Sequence, residues 1–448
     1  MVNDFPPVQE KMKVPFYINR EYGFLWAGQT VSGLGDYVFT TTLMLWIVTL
    51  IAPGQAWTPL AVSGLLLAEL LPSFLAGPFA GVFVDRWETR RLLLAMDLVR
   101  AGLIGLLTLC AGVLPLTLLP GGRLSALWQL SVIYLVVFLT SLCSQFFNPA
   151  RFTLSADVVP ETYRTRATGF AQSSMNLALI LGPSLAAPLF FLIGLPWLLF
   201  FNALSFLFSF SMIFQVRLPQ WKADNVRQEK ETRHFWHEFG VGVRFLARER
   251  TLATLLVVMC LVLFSSGLSA PLAIFFATRN LHIPTSLFGL LSAANGAGLV
   301  VGVVLLGWWG QHLGLTRLFT LGTLLVGALE LLYARQALFW LACIILVIQG
   351  IPNAAMNVAF GPLVLKFTPR EYLGRVWALI LPAMNLAQLV STALSGYLVS
   401  TLFLHFHAQL FGLSLGPYDT LISISGLLTV GAGIFAMLNL RDVDAAQP

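Results

Sequence analysis

The chain has 448 residues, of which 57% are hydrophobic and only 10% charged, with a formal net charge of +6 and a mean hydropathy of +0.82. An ordinary soluble protein carries roughly 25% charged residues, so the surfaces of the three soluble domains that would fit this length could not be covered. A soluble enzyme, a disordered chain and a secreted disulfide scaffold are disfavoured at once.

The polar, proline-containing stretch 1–19 leads into an apolar run that continues into a full span, which is not the pattern of a cleaved leader. Twelve runs are long enough to cross a ~30 Å hydrocarbon core as helices. They are 23–50, 58–83, 92–114, 127–149, 167–193, 196–216, 251–277, 285–308, 317–334, 337–364, 376–400 and 418–438. Helix is the form the bilayer demands, because backbone polar groups in lipid must be satisfied within their own segment.

Threading these runs back and forth sorts the 26 Lys and Arg residues sharply: 22 fall on the side of the N-terminus and three, Arg123, Arg279 and Arg335, on the other. Arg100 is left inside the third run. Cytoplasmic loops carry the basic excess, so both termini are expected in the cytoplasm of a multi-pass inner (cytoplasmic) membrane protein. The same split explains the positive charge without nucleic acid. The expected fold class is an all-α polytopic membrane protein, with twelve transmembrane helices in two six-helix repeats. The expected domains are an N-terminal six-helix bundle over 1–216, a cytoplasmic linker over 217–250 and a C-terminal six-helix bundle over 251–448. Within the linker, Phe235, Phe239, Val243 and Leu246 have the spacing of an amphipathic helix lying on the inner leaflet.

Ionisable groups inside spans cost at least ~2.5–3.5 kcal/mol on insertion scales, so each needs a reason. In the first run Asp36 lies ~18 Å from the start and shares a face with Gln29, Ser32 and Thr40. Glu69 falls near the middle of the second run, and Asp97 and Arg100 stand at i and i+3 in the third. A solitary acid exchanges a proton more readily than one held in an ion pair. Asp36 and Glu69 are therefore the proton-coupling candidates, and Asp97 with Arg100 a gate or structural ion pair. Glu330, toward the outer end of its run, is expected to be solvated.

Polar stripes mark further runs: Ser141, Gln145 and Asn148; Gln172 and Asn176; Gln349, Asn353 and Asn357; Asn385, Gln388 and Thr392. An interhelical hydrogen bond, worth about 0.6 kcal/mol in membranes, accounts for any one of them. Together they point to a wet central pathway. Cys110, Cys143, Cys260 and Cys343 lie in four different runs, so neither a disulfide framework nor a zinc site is indicated. His234 with His237 and His405 with His407 lack a completing ligand, and no metal or cofactor is expected. There is no phosphate-cradling Gly-x-x-x-x-Gly-Lys-Ser/Thr loop and no nucleophile–base set, so an enzyme is not expected.

The two halves repeat. Pro160, Tyr163 and Arg166 recur at an offset of 209 as Pro369, Tyr372 and Arg375, with Asn148 meeting Asn357 and Met175-Asn176 meeting Met384-Asn385. After the second run comes Gly81-x-x-x-Asp85-Arg86-Trp87-Glu88-Thr89-Arg90-Arg91, echoed 226 residues on by Gly307, Gln311, His312, Gly314 and Arg317. The fifth run carries Gly169, Ala178, Gly182-Pro183, Ala186, Ala187 and Pro188. Small residues there permit close helix packing, and Pro183 favours a kink.

The Gly81–Arg91 loop resembles the signature loop of the major facilitator superfamily, with Glu88 where that pattern has its second glycine. The fifth run looks like that superfamily's antiporter motif with three glycines turned to alanine. Trp26-Ala27-Gly28-Gln29, Gly35-Asp36, Asp97-x-x-Arg100, Asn148-Pro149-Ala150, Ala156 to Pro160 and Leu373-Gly374-Arg375 extend the resemblance over nearly the whole chain. They are similar to the macrolide-efflux and enterobactin-exporter branch. The resemblance implies export from the cytoplasm powered by an ion gradient. The expectation is a monomeric secondary transporter whose cavity, among many of the 35 phenylalanines, suits amphiphilic neutral or cationic molecules of drug, siderophore or lysolipid type. A proton (or sodium) gradient would drive it by alternating access. One departure is that 127–149 lacks the arginine many proton antiporters carry in the fourth helix, so Arg100 would serve instead. The alternatives are uptake or facilitated diffusion of a small solute, and a non-transporting receptor or scaffold.

Overall fold

The computed structural model describes residues 18–84, 87–113, 125–217, 235–309, 313–369, 371–404, 406, 408–410 and 413–440. The first half of the chain forms α1 (Arg20–Trp46), α2 (Thr58–Leu75), α3 (Gly77–Val84), α4 (Thr89–Thr108), α5 (Ala126–Val158), α6 (Arg164–Leu192) and α7 (Leu195–Gln215). The second half forms α8 (Phe235–Arg248), α9 (Arg250–Ser269), α10 (Ala273–Arg279), α11 (Phe288–Trp309), α12 (Leu315–Ala334), α13 (Phe339–Phe367), α14 (Leu373–Ser400) and α15 (Pro417–Asn439). Among the described residues, twelve segments 18 to 33 residues long are apolar enough to cross a membrane, one for each expected run. The chain is a multi-pass membrane protein. Its only described strands, β1 (Ala408–Leu410) and β2 (Leu413–Leu415), pair antiparallel in a small hairpin between α14 and α15.

Local chemistry sets the helix ends. Asn19 caps α1, its side-chain oxygen accepting from the Tyr22 amide at 2.7 Å. The same side chain donates to the Val158 carbonyl at 2.5 Å, tying the start of α1 to the end of α5. Gly194, at φ 86°, makes the turn between α6 and α7 in a conformation that a side chain would strain. Two boundaries differ from the sequence expectation, and proline governs both. The run 58–83 is two helices, broken at Ala76 between Pro72 and Pro78, and Pro78 then enters α3 near its start, where a missing N–H costs nothing. The fourth run does not end at Pro149 but continues to Val158. A membrane helix can absorb one lost donor when its neighbours re-satisfy the freed carbonyl.

The sequence repeat is also a structural repeat. The Tyr163 amide bonds the Pro160 carbonyl at 2.9 Å, and the Tyr372 amide bonds the Pro369 carbonyl at 2.9 Å. Both tyrosines then precede a long helix with nearly the same backbone, φ −106° and −102°.

In the first half α1 packs on α6 and α7, α4 on α5 and α7, and α2 on α5. In the second half α11 packs on α13, α12 on α13 and α15, and α9 on α14 and α15. The halves meet along two seams, α2 with α14 and α6 with α11. Gly396 of α14 lies against Ser63 and Leu60 near the start of α2, and Gly289 of α11 lies against the Pro183 carbonyl of α6.

Of the expected amphipathic stripe, Phe235 and Phe239 have side chains outside the described set. Val243 is exposed, while Leu246 is buried. Phe245 joins Leu246 in docking α8, its ring stacking on Tyr372 at 4.5 Å.

Candidate functional site

Four ionisable side chains on three helices gather in the interior of the first half. Asp97 and Arg100, one turn apart on α4, form an ion pair at 2.6 Å with 0% and 3% of their residue surfaces exposed. The guanidinium lies 4.2 Å from the centre of the Phe147 ring of α5 and 4.4 Å from that of Phe206 of α7. Its Nη1 reaches the Ser144 hydroxyl at 3.5 Å. Rings presented to a desolvated cation attract it through their quadrupoles, so the arginine is held by one carboxylate and two aromatic faces.

Asp36 of α1 lies in the electrostatic field of both Arg100 and Asp97, and Glu69 of α2 in that of Asp36, with the Thr40 hydroxyl beside it. Asp36 is therefore not the isolated acid its own helix suggested. Arg100 influences it across the bundle while bonding Asp97 directly. The Ser141 hydroxyl of α5 bonds the Glu69 main-chain carbonyl at 2.5 Å, which pins α2 to α5 beside this group.

Two cavities border the helices. The larger, about 540 Å³, is walled by α9, α11, α12, α13 and α15 of the second half and by Leu179 and Pro183 of α6 from the first. Asn353 and Asn357 line it and bond one another at 2.8 Å. Its acid is Glu330, which accepts from the Ser425 hydroxyl at 2.8 Å with the Ser269 hydroxyl adjacent. Glu330 is half-buried: α15 packs over that end of α12 through Ser425, and the carboxyl group borders the cavity. Neither cavity is lined by Asp36 or Glu69. The smaller, about 60 Å³, lies among α1, α5 and α6. There Arg151 donates to the Gln29 side chain at 2.9 Å. Because α5 outruns Pro149, the fourth helix does carry an arginine, at its far end.

The remaining candidates are dispersed. Gln172 and Asn176 bond each other at 3.3 Å on α6, and Gln145 bonds back to the Ser141 carbonyl at 3.3 Å. Asn148 is exposed, and Asn385 and Gln388 are half-buried on α14 away from both cavities. Gly182 packs against Tyr37 of α1, whereas Gly169 faces open space. Gly81 lies in α3, and Asp85 and Arg86 fall outside the described residues. Arg90 bonds the terminal carbonyls of α7, Phe214 and, at 3.4 Å, Ile213, where a cation suits the helix dipole. Arg91 pairs with Glu88 at 2.7 Å on the surface. Sequence reasoning missed Glu330 and Arg151 as site residues. It also missed the Arg335–Asp419 pair, 3.3 Å apart, which joins α12 to α15.

Twelve spans in two repeated sets, with buried charge and a cavity walled by both, define a polytopic transporter. The model of the Major Facilitator Superfamily matches residues 25–277 and again 254–447, and the chain belongs to that superfamily. It is 26% identical to the uncharacterised MFS-type transporter YfiS of Bacillus subtilis (strain 168), covering 97% of each protein. It is 24% identical to macrolide efflux protein A of Streptococcus pyogenes, covering 83% of this chain and 87% of that one. In fold it is similar to a bacterial homologue of the iron transporter ferroportin in its inward-facing state, with a TM-score of 0.70 and 16% identity over 94% of this chain and 98% of that one. The chain is a transporter and not an enzyme.

Proposed function

We propose that the chain is a proton-driven exporter of amphiphilic small molecules, working as a monomer by alternating access in the cytoplasmic membrane. The carrying observation is the group of Asp36, Glu69, Asp97 and Arg100: three carboxyl groups and one guanidinium inside a membrane domain. One cation balances one carboxylate. The other two carboxyl groups are then sites for exchangeable protons, and Asp36, in the field of the ion pair, is the one whose proton responds to its rearrangement. Likeness to macrolide efflux protein A over most of both chains supports the outward direction and the substrate class.

The working parts are taken as the two six-helix bodies, 1–216 and 251–448, with 217–250 and both termini cytoplasmic. On that orientation the Gly396–Ser63 and Gly289–Pro183 contacts lie toward the outer face, and the conformation described is closed outside.

The test uses proteoliposomes with an imposed pH gradient and a labelled macrolide. Wild-type protein should move it uphill, and Asp36→Asn should abolish uphill movement while retaining expression, binding and downhill exchange. Full gradient-driven export by Asp36→Asn would remove Asp36 from the mechanism and move coupling to Glu69. Wild-type transport indifferent to the gradient would overturn proton coupling altogether.

A further inference from the structure

The larger cavity contains a carboxylate that the coupling group does not use. Glu330 stands ~22 Å along α12 and is the acid among the residues lining that cavity. Its bonded partners are hydroxyl groups, Ser425 at 2.8 Å and the adjacent Ser269. Among the described residues it has no ion pair. Arg335, a little over one turn further along the same helix, is committed elsewhere. That guanidinium bonds the Asp419 carboxylate at 3.3 Å, the Asp419 carbonyl at 3.0 Å and the Ser423 hydroxyl. Tyr333, the other titratable group lining the cavity, is a phenol and supplies no positive charge. The contrast with the first half is direct: Asp97 has its own guanidinium at 2.6 Å, and Glu330 has none.

A carboxyl group inside the bilayer region either binds a proton or keeps its charge against a cation, and one in the wall of a cavity can do the second when a cationic ligand enters. The surroundings of Glu330 indicate what kind of cation that is. The walls are mainly aliphatic and aromatic, with Met259, Val262, Leu291 and Leu346 beside the rings of Phe288 and Tyr333. Aromatic faces attract organic cations as well as apolar groups. At about 540 Å³ the space falls within the range of roughly 300–1,000 Å³ usual for small-molecule sites. Leu179 and Pro183 of α6 complete the wall from the other half of the chain. An occupant therefore touches both sides of the α6–α11 seam, as a transported molecule must.

We propose that the cavity takes an amphiphilic organic cation, with Glu330 as the counter-ion for its ammonium or phosphonium centre and the apolar walls enclosing its body. This rests on the exporter reading above and specifies its substrate class. The site is in the second half of the chain, apart from the Asp36 group, so that recognition and proton coupling use different acids.

The experiment is equilibrium binding to purified, nanodisc-embedded protein with no gradient imposed, using labelled tetraphenylphosphonium. Labelled tetraphenylborate, of the same shape and opposite charge, is measured in separate samples, and sodium chloride is varied separately. Wild-type protein should bind the phosphonium saturably and the borate far more weakly, and sodium should not displace the phosphonium competitively. Glu330→Gln should weaken binding at least tenfold and Glu330→Asp should restore part of the loss. Glu371→Gln, which removes an exposed acid, should bind like wild type. Thermal melting identifies variants that fail to fold, and the Asp variant keeps the question answerable if Gln does. Binding by folded Glu330→Gln within twofold of wild type would overturn the proposal. So would equal binding of tetraphenylborate, competition by sodium, or no saturable binding to wild type. Because no gradient is present, these outcomes are independent of the export assay: loss of gradient-driven export with intact Glu330-dependent binding removes the coupling reading alone, and the reverse result removes this one alone.

Discussion

Removing either partner of the Asp97–Arg100 pair should have unequal costs, and the structure says which is larger. The pair is buried to 0% and 3% exposure, so each group depends on the other and on its immediate contacts. Breaking a buried pair by deleting one partner costs about 3–5 kcal/mol, mostly from the charge left behind. A carboxyl group can shed that charge by binding a proton; a guanidinium cannot. Asp97→Leu should therefore carry the full penalty of about 3–5 kcal/mol. Phe147 and Phe206, whose ring centres lie 4.2 and 4.4 Å from the guanidinium and which are 5% and 0% exposed, hold the cation in wild type and variant alike and so do not lower that cost. Adding Phe206→Leu removes one of the two cation–π contacts as well, a further loss of about 2 kcal/mol. Arg100→Leu leaves a neutralisable acid and should cost less than Asp97→Leu combined with Phe206→Leu. The double variant Asp97→Leu with Arg100→Leu should recover most of the loss. Reversible unfolding in mixed detergent and SDS micelles measures all four. The reasoning fails if Phe206→Leu adds nothing to Asp97→Leu, or if the double variant costs the sum of the singles.

Other expectations follow from single contacts. A Cβ at Gly302 would sit 2.8 Å from Ile351 Cα and Ala354 Cβ, so Gly302→Ala should destabilise the α11–α13 crossing by about 1–3 kcal/mol. Gly102, which faces open space, should accept alanine without loss in the same unfolding assay. Tyr372→Ala removes the 4.5 Å stack with Phe245, worth about 0.5–1.5 kcal/mol beyond burial. Hydrogen exchange in α8 should speed up accordingly, and unchanged protection there would show that Leu246 suffices. A cysteine at Asn225 should be labelled by an impermeant maleimide only after the membrane is opened; labelling in intact cells would reverse the assigned orientation.

The twelve spans were legible because the bilayer leaves so few solutions: a segment must be helical, long and apolar, and its flanking charges sort by side. The repeat was legible because Pro160 with Tyr163 and Pro369 with Tyr372 make the same turn. What the sequence hid is set by neighbours distant along the chain. Pro149 reads as a stop, yet α5 passes through it and carries Arg151 to Gln29. Glu330 reads as an end residue until α15 covers it through Ser425. The i, i+3 spacing does reveal that Asp97 and Arg100 share a face, but it does not reveal Phe147 and Phe206, which come from two other helices. Nor can the spacing of Gln145 and Asn148 tell whether their face meets a cavity or lipid.

The halves share a fold and a turn but divide their chemistry. The buried guanidinium and the three acids around it belong to α1, α2 and α4, while Glu330 and most of the cavity wall belong to the second half. If a proton is exchanged in one half and a cation is held in the other, the seams where the described residues of the two halves touch are where the two events can be linked. Those seams are close contacts. At Gly396 and Gly289 the absent side chains let α14 meet α2 and α11 meet α6 at the backbone. Pro183 is the most informative of these residues, because its carbonyl meets Gly289 while the residue itself lines the Glu330 cavity. Next to it, Gly182 packs on Tyr37, the neighbour of Asp36 on α1. A shift of α6 is therefore felt at once beside Asp36 and beside the cavity. A ligand or proton biases a conformational equilibrium only through contacts that differ between its states, and α6 is the helix on which both sets of contacts converge.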